Sequence, residues 1–426
     1  MTPSITVAYS GVHQAFQIAL AAAELNQLDF FYCSLFAAPG KLGGALARVL
    51  GPDKLHNRKV AGLPPQKVWE NPWPLLGHRC RMKLPLAALD DWEQMNRRFD
   101  RWVAARLAHC NSQLFVGVET CAAAAFAVAQ ERGMVRLLDR PGIGAEFLNA
   151  VALEAADELR LKTVAHTDSP MMRELKAREV QLADTILVAS ELQARLLRQR
   201  LDSLKRVCVL PLWADSEFWR PPDQARMTRS GPLRVIYAGK LSLRKGVPYL
   251  IRAAINCSNP IALTLIGSVD RELAPVLERH QGMFTWVTPC AKAELRDHYQ
   301  KNDLLVLPSL GDSFGFVAME AMACGLPVIV TENCGVPVPD TSWRVPVMDA
   351  DAIAARLSLY ARDRELCRDH GRIAADFARQ FTPERYRRRV KEIFAESLGS
   401  ATTRDGVDQS ELEGAIDLPL ERVAAR

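Results

Sequence analysis

Residues 304–331, LLVLPSLGDSFGFVAMEAMACGLPVIVT, decide the fold of this chain. They read as a short apolar strand, a turn that contains Gly311 and Gly315, an apolar helix that stops at Gly325, and a second apolar strand. A helix that starts directly after a glycine turn presents free N–H groups and the positive end of its dipole. The turn therefore predicts an anion site, and phosphate is the natural ligand.

Similar apolar runs, bounded by turn residues, recur along the rest of the chain. They predict buried strands at 5–9, 30–35, 114–118, 135–138, 185–189 and 207–210, and again at 233–238, 261–266, 284–287, 304–307 and 328–331. Helix-period segments separate several of these strands, including 14–25, 247–255, 316–324 and a helix that Ser190 caps with Gln193 as its capping-box partner. This alternation predicts parallel sheets covered by helices on both faces.

The strand pattern is interrupted once, by a Trp- and Pro-containing passage after Pro211 and a polar stretch that ends at Gly231. This passage predicts a linker between two α/β halves, residues 1–212 and 213–382. Thr382 and Pro383 then favour the start of a helix that we expect to cover 383–400. Residues 401–426 are polar with little apolar periodicity, which predicts a flexible tail.

The composition is that of a globular protein. The 426 residues are 49% hydrophobic and 24% charged, which excludes a wholly disordered, collagen-like or coiled-coil chain. The formal net charge of +5 is too small on this length to indicate nucleic-acid binding. Because no Lys or Arg precedes Lys41, a secretory signal is not expected, and the longest apolar run is too short to cross a bilayer. These features predict a cytoplasmic protein.

The ten cysteines contain no CxxC pair, and Cys367 with His370 is the only close Cys/His spacing of the metal-binding type. Without a second pair to complete four ligands, we expect reduced thiols and no structural zinc. Asp349 and Asp351 form a DxD that resembles a metal motif, but the helix-forming sequence that follows favours a helix start. We therefore predict no metal and no resident cofactor.

A second basic element, YAGKLSLRKG at 237–246, strengthens the phosphate hypothesis. Ligands of open α/β sheets bind outside the carboxyl ends of the strands, which is where Lys240 and Lys245 are expected. Two cations there can neutralise a diphosphate, while Asp312 and Glu320 can accept hydrogen bonds from hydroxyl groups. The alternatives are an exposed charge cluster for the lysines, a simple helix cap for Asp312 and a solvated helix position for Glu320.

The same residues resemble a known family. The pattern of 239–246, Pro308, Asp312 and the run from Glu320 to Val328 resembles the retaining glycosyltransferases of family four, and looser similarity extends over about residues 4–398. The resemblance implies the GT-B fold: two Rossmann-like α/β domains with an interdomain cleft, the first for the acceptor and the second for the donor. It also implies transfer from a nucleotide-diphosphate sugar, such as a UDP- or GDP-sugar, as co-substrate.

The resemblance carries over residue by residue in the second half. Lys240, where the family usually has arginine, and Lys245 would hold the donor phosphates and stabilise the leaving diphosphate. Asp312, where the family usually has glutamate, would bind the sugar, and Glu320 would contact the ribose. The backbone of the donor loop would close on the donor sugar and its phosphates through Gly239, Ser313, Phe314, Gly315 and Phe316.

The first half departs more from the family pattern. A loop at Asp139 and Arg140 resembles one in which relatives carry a histidine, but Gly144 stands near that place. Asp139 is therefore our acceptor-side catalytic candidate, with Arg140 and Gly11 as substrate-binding candidates at strand ends. His13 and His166 are alternatives, although each is more often a surface or packing histidine.

Two other functions remain open on the sequence. Residues 311–315, GDSFG, satisfy the GxSxG pattern of a serine hydrolase, with Ser313 as nucleophile, Asp340 or Asp349 as acid and His370 as base. The second alternative is a non-catalytic subunit that binds nucleotide sugars. The favoured function is a metal-independent hexosyltransferase in glycan or cell-envelope polysaccharide synthesis, acting on a saccharide or lipid-linked acceptor.

Basic and aromatic residues cluster between Trp69 and Arg106. The cluster includes Trp73, His78, Arg79, Arg81, Lys83, Arg97, Arg98 and Arg101. Such a patch can contact an anionic lipid surface or a charged saccharide, and a peripheral location at the inner membrane face is one expectation. A solvated surface is the plainer interpretation.

Overall fold

The computed structural model of the chain describes residues 3–12, 14–50, 55, 58–81, 91–161, 168–201, 205–222 and 231–403. The expected flexible tail lies outside these residues except for 401–403, which continue the last helix. His13 and His166 also lie outside them.

The first domain is built on a seven-stranded parallel sheet with the order β3-β2-β1-β4-β5-β6-β7. Its strands are β1 (Ile5–Tyr9), β2 (Leu28–Cys33), β3 (Val68–Glu70), β4 (Leu114–Val118), β5 (Val135–Asp139), β6 (Thr185–Val188) and β7 (Arg206–Val209). The central strand β4 is buried throughout, as expected for a strand with helices on both faces. The strand order reverses between β1 and β4.

The second domain repeats this plan with a six-stranded sheet of order β10-β9-β8-β11-β12-β13. Every pairing is parallel, and the order reverses between β8 and β11. Its strands are β8 (Leu233–Ala238), β9 (Ile261–Ile266), β10 (Thr285–Val287), β11 (Leu304–Leu307), β12 (Val328–Thr331) and β13 (Arg344–Val345). Open sheets of this kind bind ligands at the reversal point, outside the carboxyl ends of the strands.

Helices flank both sheets. In the first domain they are α1 (Ala15–Glu24), α2 (Leu42–Leu50), α3 (Trp73–Arg81), α4 (Asp91–Leu107), α5 (Ala123–Glu131), α6 (Ala145–Glu158), α7 (Pro170–Leu182) and α8 (Glu191–Arg198). In the second they are α9 (Val247–Asn256), α10 (Ala274–Arg279), α11 (Lys292–Lys301), α12 (Phe316–Ala323), α13 (Ala350–Arg362) and α14 (Arg364–Ala378), followed by α15 (Pro383–Thr403).

Helix α15 carries the end of the described chain back to the first domain. Its buried side chains recur at helical spacing and include Tyr386, Val390 and Phe394. It packs on α1, where Glu24 accepts from Arg387 at 2.8 Å and from Lys391 at 2.5 Å. The two domains are therefore joined twice, by the linker after β7 and by this helix.

Most of the strand predictions agree with the structure to within two residues. The predicted strands 5–9, 114–118, 233–238, 261–266, 304–307 and 328–331 match the observed bounds. Two short strands, β3 and β13, were missed, because runs of two or three residues show no periodicity. Ser190 caps α8 as predicted, but the Gln193 side chain accepts from the amide of Ala189, at 2.9 Å, and not from that of Ser190.

The helix of the DxD segment also behaves as predicted. Asp349 caps α13 by accepting from the amide of Ala352 at 2.7 Å. The nine cysteines with described side chains are free thiols. No helix within the described ranges is both long enough and apolar enough to cross a membrane.

Candidate functional site

The two loops predicted to bind phosphate lie side by side. Strands β8 and β11 are neighbours at the reversal point of the second sheet. The loop after β8 carries Lys240 and Lys245, and the loop after β11 carries Asp312 and the start of α12. The topology therefore places all of these groups where an open α/β sheet binds its ligands.

The two loops touch through their backbones. Gly246 has a φ of 69°, and a Cβ there would overlap the carbonyl oxygen of Pro308. The amide of Leu310 donates to the carbonyl of Arg244 at 2.9 Å, and the Arg244 guanidinium donates to the carbonyl of Gly311 at 3.4 Å. Glycine is needed at 246 for both its backbone conformation and its lack of a side chain.

Lys245 and Asp312, which the sequence assigned to one site, form an ion pair across the two loops. Their side chains are 17% and 14% exposed, so the pair is shielded from water but can still be reached. An ammonium group has three hydrogen-bond donors. Lys245 can therefore keep its bond to Asp312 and still donate to a phosphate oxygen.

Helix α12 begins at the same place. Gly315 precedes it with a φ of 77°, and the amide of Ala318 in the first turn donates to the Gly315 carbonyl at 3.0 Å. The positive end of the helix dipole lies at this turn. The side chain of Phe314 is buried and its ring lies 5.2 Å from that of Phe316. Phe314 as a whole is 1% exposed, so its backbone is covered as well, and the backbone contact of residues 313–316 with a donor stays a prediction.

Lys240 lies at the outer side of the site. Its side chain is 54% exposed and pairs with Asp270 at 2.5 Å. Gly239, with a φ of 141°, follows β8, and a Cβ on Gly267 would overlap the Gly239 carbonyl oxygen. Lys240 is therefore more exposed than Lys245, and its ammonium group would have to leave Asp270 to bind a ligand in the cleft.

Glu320 lies one turn into α12 and faces α11. Burial raises the pKa of its carboxyl to about 7, while the charge of Lys292 and a hydrogen bond with Tyr299 oppose the rise. The alternative of a solvated helix position for Glu320 does not agree with the structure, because its side chain is largely enclosed. A carboxyl group in such a place accepts hydrogen bonds strongly once it ionises.

Arg344, at the start of β13, was missed by sequence reasoning. Its guanidinium donates to the carbonyls of Thr331 at 3.3 Å, Cys334 at 2.7 Å and Val336 at 2.6 Å. Burial lowers the pKa of Arg344 from its ordinary value. This arginine therefore fixes the conformation of the loop 331–336.

That loop in turn holds Asp312. The amide of Asp312 donates to the carbonyl of Asn333, and the carbonyl of Asp312 accepts from the amide of Gly335, both at 2.9 Å. Asn333 also donates its side-chain amide to the carbonyl of Leu310 at 3.0 Å. The position of Asp312 thus depends on loop 331–336, which no motif in the sequence indicates.

The first domain closes over this site. A Cβ on Gly311 would lie 2.5 Å from a methyl carbon of Leu148 in α6, and 3.2 Å from the ring of Phe147. A Cβ on Gly335 would overlap the hydroxyl of Ser190, the cap of α8. The interdomain cleft is therefore narrow at the donor loops.

Asp139, the acceptor-side candidate, ends β5 and faces a small cavity that Gln14, Leu212 and Tyr386 help to line. Burial raises the pKa of Asp139 to about 7, a hydrogen bond from Gln14 opposes the rise, and the charge of Glu119 adds to it. Asp139 is 5% exposed, so the structure encloses it instead of placing it on an open surface.

Arg140 pairs with Glu119 at 2.7 Å, and Glu119 is a second residue that the sequence did not single out. The next residue, Thr120, has a φ of 80°, which is strained for a β-branched side chain. Glu179 accepts from the Thr120 amide at 2.7 Å and holds it there. Gly11 lies after β1, across the reversal point of the first sheet, beside the ring of Tyr9.

The residues of the hydrolase alternative are not brought together. His370 bonds the hydroxyl of Tyr360 at 2.9 Å and lies on α14, where its neighbour Gly371 approaches Gly325 beyond the end of α12. Ser313 lies just before the first residue of α12, whereas His370 lies beyond its last residue. The eight residues of this helix span about 12 Å. Asp340 and Asp349 accept from local backbone amides instead.

Comparison with known proteins supports the second domain most directly. Residues 232–363 match the family described as Glycosyl transferases group 1. The D-inositol 3-phosphate glycosyltransferase of Paenarthrobacter aurescens is 29% identical over 217 residues, 46% of this chain and 53% of that protein. The protein of the same name from Xylanimonas cellulosilytica is 30% identical over 181 residues, 38% of this chain and 43% of that protein. The chain thus spans about half the length of these curated relatives.

Solved structures resemble nearly the whole chain. Sucrose-phosphate synthase from Thermosynechococcus elongatus superposes with a TM-score of 0.66 at 17% identity, covering 93% of this chain and 100% of that one. HepE from Anabaena, in complex with UDP and glucose, superposes with a TM-score of 0.58 at 14% identity, covering 93% and 100%. The predicted fold class, two Rossmann-like domains of the GT-B type, is confirmed.

The contacts of Arg344 lead to a test of loop 331–336. In Arg344→Met three buried carbonyls lose their donor, so we expect the free energy of unfolding to fall by about 2–4 kcal/mol. Arg344→Lys should recover part of the loss. Chemical denaturation measures both, with Arg372→Met as the control, because Arg372 is 78% exposed on α14. Equal stability of Arg344→Met and the parent would show that the loop does not need this arginine.

Proposed function

We propose that the protein is a retaining, metal-independent glycosyltransferase that moves a hexose from a UDP- or GDP-sugar to a saccharide or lipid-linked acceptor. The single observation that carries the proposal is the Lys245–Asp312 pair beside the first turn of α12, at the reversal point of the second sheet. A cation and a helix N-terminus that face one place form a site for a diphosphate.

The chemistry follows from where charge develops. As the bond between the sugar and the diphosphate breaks, negative charge grows on the phosphate oxygens. Lys245, Lys240 and the first amides of α12 can stabilise that charge, which is the largest contribution in reactions of this kind. Because these groups supply the positive charge, we expect no metal ion to be needed.

Two carboxylates are available to hold the rest of the donor. Asp312 is short and is fixed at both its backbone N–H and C=O, so it can bind a sugar hydroxyl that lies close to the phosphates. Glu320 lies one turn after the first residue of α12, where it can bind the ribose. Arg140 and Gly11 lie at strand ends of the first sheet and form our proposed acceptor side, together with Asp139, which is enclosed at the end of β5.

The comparisons support this assignment. The matched family and the named relatives are glycosyltransferases, and HepE has been crystallised with UDP-glucose as well as with UDP and glucose. We place the reaction in glycan or cell-envelope polysaccharide synthesis, as the sequence predicts. The sequence predicts a cytoplasmic protein, and we expect the nucleotide-sugar donor to be available in the cytoplasm.

The donor site predicts binding of a nucleoside diphosphate in the presence of a chelator. UDP or GDP at 100 times its dissociation constant should add about 2.7 kcal/mol to the stability. Thermal unfolding with EDTA measures the shift, and the matched nucleoside is the control because it lacks the diphosphate. Absence of any shift, or a shift that appears only with magnesium, would contradict the proposed site.

Lys245→Ala tests the catalytic contribution. The bond from Lys245 strengthens as the leaving group becomes charged, so turnover should fall more than donor affinity, by about 2–4 kcal/mol in activation free energy. Single-turnover release of nucleoside diphosphate and donor calorimetry separate the two effects, with Lys301→Ala on the exposed side of α11 as control. If the Lys245→Ala variant folds and keeps the parental turnover, this lysine does not take part in the reaction. If the parent itself turns over no donor, the alternative of a non-catalytic subunit that binds nucleotide sugars is favoured.

Ser313→Ala distinguishes the transferase from the hydrolase. On the transferase proposal the backbone of residue 313 matters more than its hydroxyl, so the variant should keep most of its activity. A fluorophosphonate probe should leave the parent unlabelled, because His370 is engaged by Tyr360 at the far end of α12. Labelling of Ser313 that His370→Ala abolishes would establish the hydrolase instead; His280→Ala is the control.

A further inference from the structure

Positive charge is concentrated in one segment of the first domain. Residues 41–106 contain 13 Lys and Arg against 6 Asp and Glu, a net charge of +7. Since the whole chain carries +5, the remainder carries −2. The excess charge of the protein therefore lies in about one seventh of its length.

The same segment exposes large apolar side chains. Trp73 is 75% exposed, Val49 82%, Trp69 49% and Leu42 43%, and Trp92 at the start of α4 is 45% exposed. Burying such side chains against an apolar partner is favourable by the area that leaves water. Indole rings prefer places where an apolar and an aqueous phase meet.

These residues belong to elements that pack together at the edge of the first sheet. Leu46 of α2, Leu75 of α3 and Met95 of α4 share one apolar cluster. Glu70 of the edge strand β3 accepts from the amide of Leu42 at 2.9 Å, which fixes α2 beside that strand. Trp69 is the neighbour of Glu70 in β3, and Trp73 begins α3 three residues later.

The cations beside these side chains have no acidic partner among the described residues. The ammonium groups of Lys41 and Lys67 donate to the carbonyls of Val68 and Leu28, and Arg48 is exposed on α2. Glu70 is engaged by three backbone amides instead. Their charges are therefore free to attract an anionic partner. We define this outer face by Lys41, Leu42, Arg48, Lys67, Trp69 and Trp73.

We infer that the outer face binds the surface of an anionic lipid bilayer. Exposed indoles lie there beside cations that have no acidic partner in the described part of the chain, which is the combination that peripheral membrane proteins use. A polyanionic saccharide would use the charges but leave Trp73 and Val49 without an apolar partner. The inference does not depend on the proposed transferase activity, because its test reads only binding to lipid.

Co-sedimentation of the full chain with lipid vesicles tests the inference. Vesicles of equal parts phosphatidylglycerol and phosphatidylcholine should bind the protein at low salt, pure phosphatidylcholine should bind it far less, and added salt should release it. Reversing one charge in Arg48→Glu should weaken binding about 30-fold, given about 1 kcal/mol for each basic side chain near the surface. Trp73→Ser should weaken binding about tenfold. Binding to vesicles should shift the tryptophan emission of the parent to shorter wavelengths, and the Trp73→Ser variant should lose that shift.

Matched controls lie on the second domain. Trp286, 51% exposed on β10, and Arg372, 78% exposed on α14, have the same side chains outside the outer face. Trp286→Ser and Arg372→Glu should bind vesicles like the parent. The inference is overturned if the parent stays in the supernatant with anionic vesicles, if it binds heparin but no vesicles, or if the control variants lose as much binding. Because Arg48 and Trp73 are both exposed, either folded variant is sufficient for the comparison.

Discussion

The structure depends most on the close contact between the two backbones that leave the sheet at β8 and β11. Gly246 leaves no room for a side chain against the carbonyl of Pro308, and Leu310 bonds directly to Arg244. That contact brings Lys245 within reach of Asp312 and sets Asp312 immediately before α12. A larger residue at 246 would separate the loops, and the cation, carboxylate and helix N-terminus would no longer face one place.

The sequence allowed this half of the site to be predicted because its signals are local. The apolar strands β11 and β12, the glycine before α12 and the spacing of Lys240 and Lys245 all lie within short segments. Arg344 was missed for the opposite reason. Its role follows only from its hydrogen bonds to carbonyls of a loop that lies about ten residues earlier in the chain and folds back onto it. No pattern of residue types encodes such contacts before the fold is known.

The acceptor side shows the same distinction. Asp139 was predicted from its position at a strand end, but its enclosure by Gln14 and Tyr386 depends on α15 returning from the other domain. Burial raises the pKa of Asp139, like that of Glu320, to about 7. A carboxyl group with a raised folded pKa contributes its stability fully below about pH 4, and that contribution is lost as the pH rises through 7. In both domains burial thus favours the protonated form of one carboxyl group, Asp139 in the first and Glu320 in the second.

The narrowness of the cleft has a consequence for how substrates enter. Gly311 faces Leu148 and Gly335 faces Ser190, and neither position has space for even one more carbon atom. At the other end of α6, Glu158 accepts from Tyr249 at 2.8 Å and from Arg252 at 3.0 Å. A ligand that lies between the donor loops and α6 or α8 would therefore have to part these contacts. The linker after β7 and the start of α15 are the two places where the chain crosses between domains, so a separation of the domains at these places would leave both parallel sheets intact.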